Sequence, residues 1–279
     1  MLAPKRRRYV LVRTVANSSA EGGAIPRMGI YVLGALVVIV AGAVAGAIAF
    51  FLRRRFEREG RSENNESAGQ VFTIVGGLHA VLIAFVLIGL FDAVGAARDN
   101  ASQEANSLVA MTWASDSLPE PQRTEVENLA GTYANQVIDQ EWPKLRVGAP
   151  VDDTAWSTLQ QLKSVIASAP TTYGWETDRK NEAANQLWTV YQDRQTRVDE
   201  DSQGVGAVIW LALGIGSLLS VALAMMFGGP KEHAHVMIIA TLAGTMALLI
   251  FAIYQLQNPF AGGASVSPEA FRSALERLG

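Results

Sequence analysis

The chain has no cysteine, which excludes disulfides, thiolate metal centres and cysteine nucleophiles. It has only three histidines, and none falls in the His-Glu-x-x-His spacing of a zinc hydrolase. There is no glycine loop spaced to cradle a phosphate and no nucleophile elbow, so enzymatic chemistry has no foothold and the chain does not read as an enzyme. Charge is scarce too: 18% of residues are charged, against ~25% in a soluble domain. The net charge of −3 offers no basic face for nucleic acid.

What the chain has is apolar sequence. Of its 279 residues 49% are hydrophobic, and the mean hydropathy is +0.18. The excess falls into four blocks: 30–52, 71–94 (interrupted by His79 and Asp92), 205–227 and 236–254. About 20 apolar residues cross the ~30 Å of a bilayer's hydrocarbon, and the blocks match that length. The polar 1–29 segment reads as a flexible extension, with Met28 as an expected start. Its Lys5–Arg8 cluster is not a secretory signal, because the following apolar run exceeds the ~7–15 residues of one. Only Gly228–His235 separates the last two blocks, which forces an antiparallel hairpin. The expected fold is an all-α integral membrane protein with four transmembrane helices. A helical domain, 95–204, lies between the second and third, and 255–279 forms a C-terminal segment. Gly42-x-x-x-Gly46, Gly214, Gly216 and Gly244 either let backbones approach closely or merely reflect composition.

Orientation is read from arginines. The 53–70 loop carries Arg53, Arg54, Arg55, Arg58 and Arg61, and short basic loops stay cytoplasmic. By that count the domain lies outside the cell membrane. Segment 95–204 holds nine Lys/Arg against seventeen Asp/Glu, a net of −8.

Within that domain, Val126, Leu129, Ala130, Tyr133, Val137 and Glu141 form a helical stripe, begun by Pro119-Glu120-Pro121 and closed by Pro143. A second helix carries Trp156, Leu159, Leu162, Val165 and Ile166, capped by Asp152 or Asp153 and stopped before Pro170. A third starts near Thr177 and carries Ala184, Leu187, Trp188, Tyr191 and Val198. No Pro or Gly cluster follows the second span, so that span is expected to continue as one helix of about 48 residues, ~70 Å long. An extension from Thr177 to Gln203 leads into the third span, with Gly204 and Gly206 as a bend.

Several motifs carry a family resemblance. They are Gly76-Gly77-Leu78-His79-Ala80-Val81-Leu82-Ile83-Ala84-Phe85-Val86-Leu87, Phe91-Asp92, Ala97-Arg98, Glu104-Ala105, Glu141-Trp142-Pro143, the Arg194–Arg197 pair and Asn258-Pro259-Phe260-Ala261-Gly262. With them the chain resembles the bacterial DUF4239 membrane family, described as bestrophin-like, over nearly all of 28–279. More distantly it resembles bestrophins proper, pentameric ion channels with four spans per subunit. That resemblance implies that Gly77, Val81 and Phe85 line a constriction, with Asp92 beyond it. It also implies a turn at Pro259, Phe260 and Gly262, and a domain in the cytoplasm, opposite to the arginine count. Gly263–Pro268 lacks the acidic cluster of calcium-binding bestrophins, so no calcium clasp, metal or other cofactor is expected.

Each candidate has two readings. Asp92 is an ion-facing ring or an interfacial residue. Gly77, Val81 and Phe85 form a dewetting gate or a packing face. His79 is a polar site or a structural hydrogen-bonding partner. His233 and His235 lack a third metal ligand and read as loop residues. Trp113, Trp142, Trp156, Trp175 and Trp188 read mostly as core or subunit-interface residues.

The functional expectation is a homo-oligomeric, pentameric ion channel lined by the second span. Its partners are further copies of itself, the bilayer and inorganic ions, and the acidic domain favours cations. The alternative is a non-conducting scaffold or sensor that signals through the helical domain. A transporter fits less well, because the spans show no paired interrupted helices.

Overall fold

The computed structural model describes residues 24–56, 65–200, 204–226 and 232–278. Every element among them is helical. In chain order they are α1 (Ala24–Phe56), α2 (Asn65–Ser115), α3 (Gln122–Gln136), α4 (Trp142–Arg146), α5 (Thr154–Ser168), α6 (Gly174–Glu200), α7 (Ala207–Met226), α8 (Glu232–Leu256) and α9 (Glu269–Leu278). A π-helical turn, Val137–Glu141, joins α3 to α4. The Arg58 and Arg61 part of the basic loop, most of the N-terminal extension and Phe227 lie outside the described residues.

Four helices are long and apolar enough to span a bilayer: Gly29–Leu52, Gly69–Ser115, Ala207–Met226 and His233–Leu256. The fold is that of an all-α integral membrane protein. In α2 the helix runs unbroken for 51 residues, about 75 Å at 1.5 Å per residue.

The chain forms two compact units, one of 1–83 with 211–252, the other of 84–210 with 253–279. In the first, small residues let helices approach. A Cβ at Gly42 would stand 3.0 Å from the Ala240 carbonyl oxygen, and one at Gly46 3.4 Å from Val236. The Gly42–Gly46 face of α1 is therefore a contact surface for α8, and Gly244 of α8 faces Val38 in return. Lipid tails are as apolar as leucine, so such contacts hold spans together by close packing rather than by expelling water. Ala45, Ala49, Ala224, Ile239 and Ala243 form the buried centre, with Phe72, Val221, Met225 and Leu242 packed against it.

In the second unit, Ala97, Ala101, Ala105 and Leu108 run down one buried face of α2, as i, i+4 and i, i+3 spacing requires. From α3 and the start of the π turn the stripe Val126, Ala130, Tyr133 and Val137 is buried, as its periodicity demands. Pro143 does not close this helix. The chain passes through a π turn and continues to Arg146. Proline lacks the N–H for an i→i−4 bond and clashes with the carbonyl one turn back, and a widened turn accommodates it. The additional residue in that turn also changes the helical register. Glu141 and Trp142, adjacent in sequence, are both buried.

Two helix starts follow from local chemistry. At α5, the Asp152 carboxylate accepts the Thr154 N–H at 3.2 Å, satisfying a free amide of the first turn. At α6, Glu176 Oε2 accepts the backbone N–H groups of Thr172 and Tyr173, at 2.6 and 3.0 Å. That reach back toward the N-terminus, of the capping-box kind, lets α6 begin at Gly174, three residues before the expected Thr177. Downstream, Gly204, Val205 and Gly206 are not helical, and α7 starts at Ala207.

Candidate functional site

The resemblance motifs fall in two places. One is the exposed face of α2, and the other is a buried ionic cluster in the second unit.

On α2, residues three or four apart share a face. Gly77, Val81, Phe85, Ile88 and Asp92 follow that spacing, as do Asp99, Gln103 and Asn106 beyond them. Phe85 is 68% exposed, and Gly77, Val81 and Asp92 are exposed as well. A Cβ at Gly77 would have no neighbour within 4 Å. Among the described residues the stripe is therefore left exposed. It changes from apolar to polar at Asp92.

His79 is on the other side of the helix. It is buried, and its Nε2 lies 2.9 Å from Ser217 Oγ of α7. A Cβ at Gly216 would overlap the imidazole ring, so a glycine is what admits it. The structural partner expected of an intramembrane histidine is thus Ser217, which the sequence reading did not identify.

The cluster is built from four helical segments. Glu104 of α2 and Arg197 of α6 are both fully buried. Arg197 Nε donates to Glu104 Oε2 at 2.7 Å and Nη2 to Oε1 at 3.1 Å. The same Nη2 donates to Glu141 Oε2 at 2.6 Å. One turn earlier on α6, Arg194 donates from Nε and Nη2 to Glu141 Oε1, at 3.1 and 2.7 Å. Tyr133 of α3 donates its hydroxyl to Glu104 Oε1 at 2.6 Å.

Burial works against a charged guanidinium, but the Glu104 and Glu141 carboxylates outweigh it and hold Arg197 above its ordinary range. Burial, reinforced by the Glu104 charge, pushes the Tyr133 phenol well up, so it remains a donor.

Aromatic rings enclose the guanidinium. Arg197 Cζ lies 5.4 Å from the Trp142 ring centre and 5.7 Å from that of Phe271 on α9, within cation–π range. Trp142 meets Phe260 edge-on at 5.5 Å and donates its indole N–H to the Val266 carbonyl at 3.2 Å. Phe260 is held in place by the turn after α8. Its N–H is accepted by Asn258 Oδ1 at 2.7 Å, and Asn258 Nδ2 donates to the Leu145 carbonyl at 3.0 Å. In the same turn the Val266 N–H donates to the Pro259 carbonyl at 2.8 Å. Gly262 has φ +76° and packs against the Gln255 carbonyl, a position that only glycine takes without strain.

The structure thus brings Glu104, Glu141, Trp142, Phe260, Arg194 and Arg197 together, with Pro259 and Gly262 shaping the turn that seats them. Arg98 is exposed on α2, and Pro143 is exposed after the π turn; neither joins the cluster. Tyr133, Phe271 and Asp193 are its unforeseen members or neighbours. Tyr133 was legible only as part of an apolar stripe, and nothing local marks the other two. Asp193 Oδ2 is buried without a hydrogen-bond partner. Desolvation, then the nearby Glu104 charge, raises its carboxyl to about 6. The tryptophans divide. Trp142 is core, whereas Trp113, Trp175 and Trp188 are more than half exposed in the single chain.

The cluster is salt-bridged, ringed by aromatics and buried, with Arg197 Nη1 left without a hydrogen-bond partner among the described residues. It fixes α2, α3, α6 and the C-terminal turn to one another, at the root of the exposed stripe's polar half.

No curated protein matches the chain. Two solved structures do, each with 12% identity and a TM-score of 0.58. One is a point variant of a membrane protein, aligned over 87% of this chain and 96% of its own. The other is a point variant of a bacterial bestrophin homologue from Klebsiella pneumoniae, aligned over 87% and 97%. The likeness is one of fold. The family model for the bestrophin-like domain matches residues 37–271, and with most of its length so covered the chain belongs to the bestrophin-like family.

Proposed function

We propose that this protein is a homo-oligomeric ion channel of the cell membrane, pentameric, with its pore lined by α2 and a preference for cations. The observation that carries the reading is the uncovered stripe of α2. Gly77, Val81, Phe85 and Asp92 are all exposed among the described residues, and nothing there lies within 4 Å of a Cβ at Gly77. Copies of the helix around a common axis would join them into an apolar constriction that closes by dewetting.

Beyond Phe85 the same face turns polar through Asp92, Asp99, Gln103 and Asn106. Repeated in several copies, the two aspartates form rings that concentrate cations. The domain's net charge of −8 over 95–204 works in the same direction. Family membership supports the oligomer and the conducting role, since the bestrophin homologue of Klebsiella pneumoniae shares the fold.

The arginines of the 53–70 loop favour a domain outside the cell. The chain has no cysteine, so an Asn128→Cys variant labelled by an impermeant maleimide in intact cells reads orientation directly. Labelling only after lysis would place the domain in the cytoplasm.

Purified protein in planar bilayers tests conduction. Unitary currents that grow or lose rectification in Phe85→Ala are expected. Absence of current, together with a monomeric or dimeric particle lacking a central axis, would replace the channel by a non-conducting scaffold or sensor.

A further inference from the structure

The groove between α5 and α6 holds a cleft of about 770 Å³, within the size range of small-molecule sites. Its walls come from Trp156, Leu159 and Lys163 of α5 and from Leu187, Trp188 and Tyr191 of α6. Three rings adjoin. Tyr191 lies 4.8 Å from Trp156 and 5.0 Å from Trp188, centre to centre, all tilted rather than stacked. Trp188 is 59% exposed, and Leu187, which also lines the cleft, is buried. An exposed tryptophan presents apolar area to water, and a ligand that covers it removes that area from water at a gain in free energy.

The electrostatics of the cleft oppose those of its surroundings. No Asp or Glu lines it, although segment 95–204 carries −8. Of its two lysines, Lys180 is committed, donating to the Ala167 and Ala169 carbonyls at 2.8 and 2.7 Å and so closing the C-terminal end of α5. Lys163 enters no ion pair among the described residues. It stands one turn from Leu159 on the same helix, at the edge of the ring-lined wall.

The geometry points to a binding site for an aromatic carboxylate, its ring on Trp156, Trp188 and Tyr191 and its anion at Lys163. Offset and edge-on contacts between ligand and protein rings supply the apolar part of the binding. The ammonium selects the charge, because a cationic analogue would meet Lys163 with no carboxylate to balance it. The site does not depend on conduction and stands or falls separately from it.

Equilibrium dialysis of 2-naphthoate against the full-length protein in lipid nanodiscs, corrected with empty discs, tests the proposal. Saturable binding of one molecule per chain is expected. Lys163→Gln, an exposed position, should weaken it about tenfold while leaving neutral 2-naphthalenemethanol unchanged. Trp188→Ala should weaken both ligands, at unchanged helical circular dichroism. No saturable binding to the unaltered protein, as when another copy covers the cleft, overturns the site. Equal naphthoate affinity in Lys163→Gln overturns the anionic assignment.

Discussion

Arg197 Nη2 bridges two carboxylates, 3.1 Å from Glu104 Oε1 and 2.6 Å from Glu141 Oε2. These groups come from α2, the π turn and α6, separated by 93 and 56 residues in sequence. Buried ion pairs gain little over an apolar core, but removing one partner is costly because the other charge is left unpaired. Arg197→Met should therefore destabilise the helical domain by about 3–5 kcal/mol, seen as earlier thermal loss of circular dichroism in detergent. Little change in the transition would mean that the cluster does not hold the domain.

Tyr133 gives a smaller and cleaner effect. Its hydroxyl donates to Glu104 Oε1, while its ring stays in the core. Tyr133→Phe keeps the packing and removes one hydrogen bond to a charged group, at about 2 kcal/mol. In an Arg197→Met background the loss should differ from that in the parent, because the two groups share Glu104. Strict additivity in the double-mutant cycle would argue against a coupled network.

Asp193 sets a pH dependence. Its carboxyl is raised to about 6 from 3.8, so the folded domain binds a proton there more tightly than the unfolded chain does. Stability from this group is fully present below about pH 4 and is lost as pH climbs towards 6. Asp193→Asn should remove that slope and stabilise the domain at pH 7 by about 1 kcal/mol, a figure discounted for partial exposure. Unfolding midpoints at pH 4, 5, 6 and 7 provide the comparison. A slope equal in variant and parent would assign it to other groups.

In the channel reading, Asp92 and Asp99 lie two helical turns apart on one face of α2. Asp92→Asn should lower the cation-to-anion permeability ratio by about threefold, and Asp99→Asn by less, both more strongly at low salt. Reversal potentials under a potassium chloride gradient measure this. Unchanged potentials in both variants would take the stripe off the ion path.

Gly216 admits the His79 ring beside Ser217. Gly216→Ala forces the ring or the helix to move and should cost about 1–3 kcal/mol of overpacking, read as lower thermal retention of the detergent-extracted particle. His79→Ala in the same background should relieve most of that loss.

Much of the membrane fold could be read along the chain. A span is a local property, about 20 apolar residues in a row, and the helices at Gly29–Leu52 and Ala207–Met226 follow from composition and length. The continuation of α2 beyond the membrane was equally legible, because no proline or glycine cluster follows the span. Glu141 was legible as the last member of a helical stripe and as part of a resemblance motif, not as a buried charge that needs a partner. Which partner was not written nearby. The break expected at Pro143 did not occur, because a π turn, a feature with no local signature here, absorbed the proline.

The four apolar runs, the acidic middle segment and the helical periods are set by nearest-neighbour chemistry, since each depends on residues within a few turns. The Glu104–Arg197–Glu141 bridge, the seating of His79 at Gly216 and the three rings around the α5–α6 cleft depend on pairs far apart in sequence. Only the packed chain decides these, because charge, hydrogen bonding and ring contact act over a few ångströms of space, whatever the distance along the backbone.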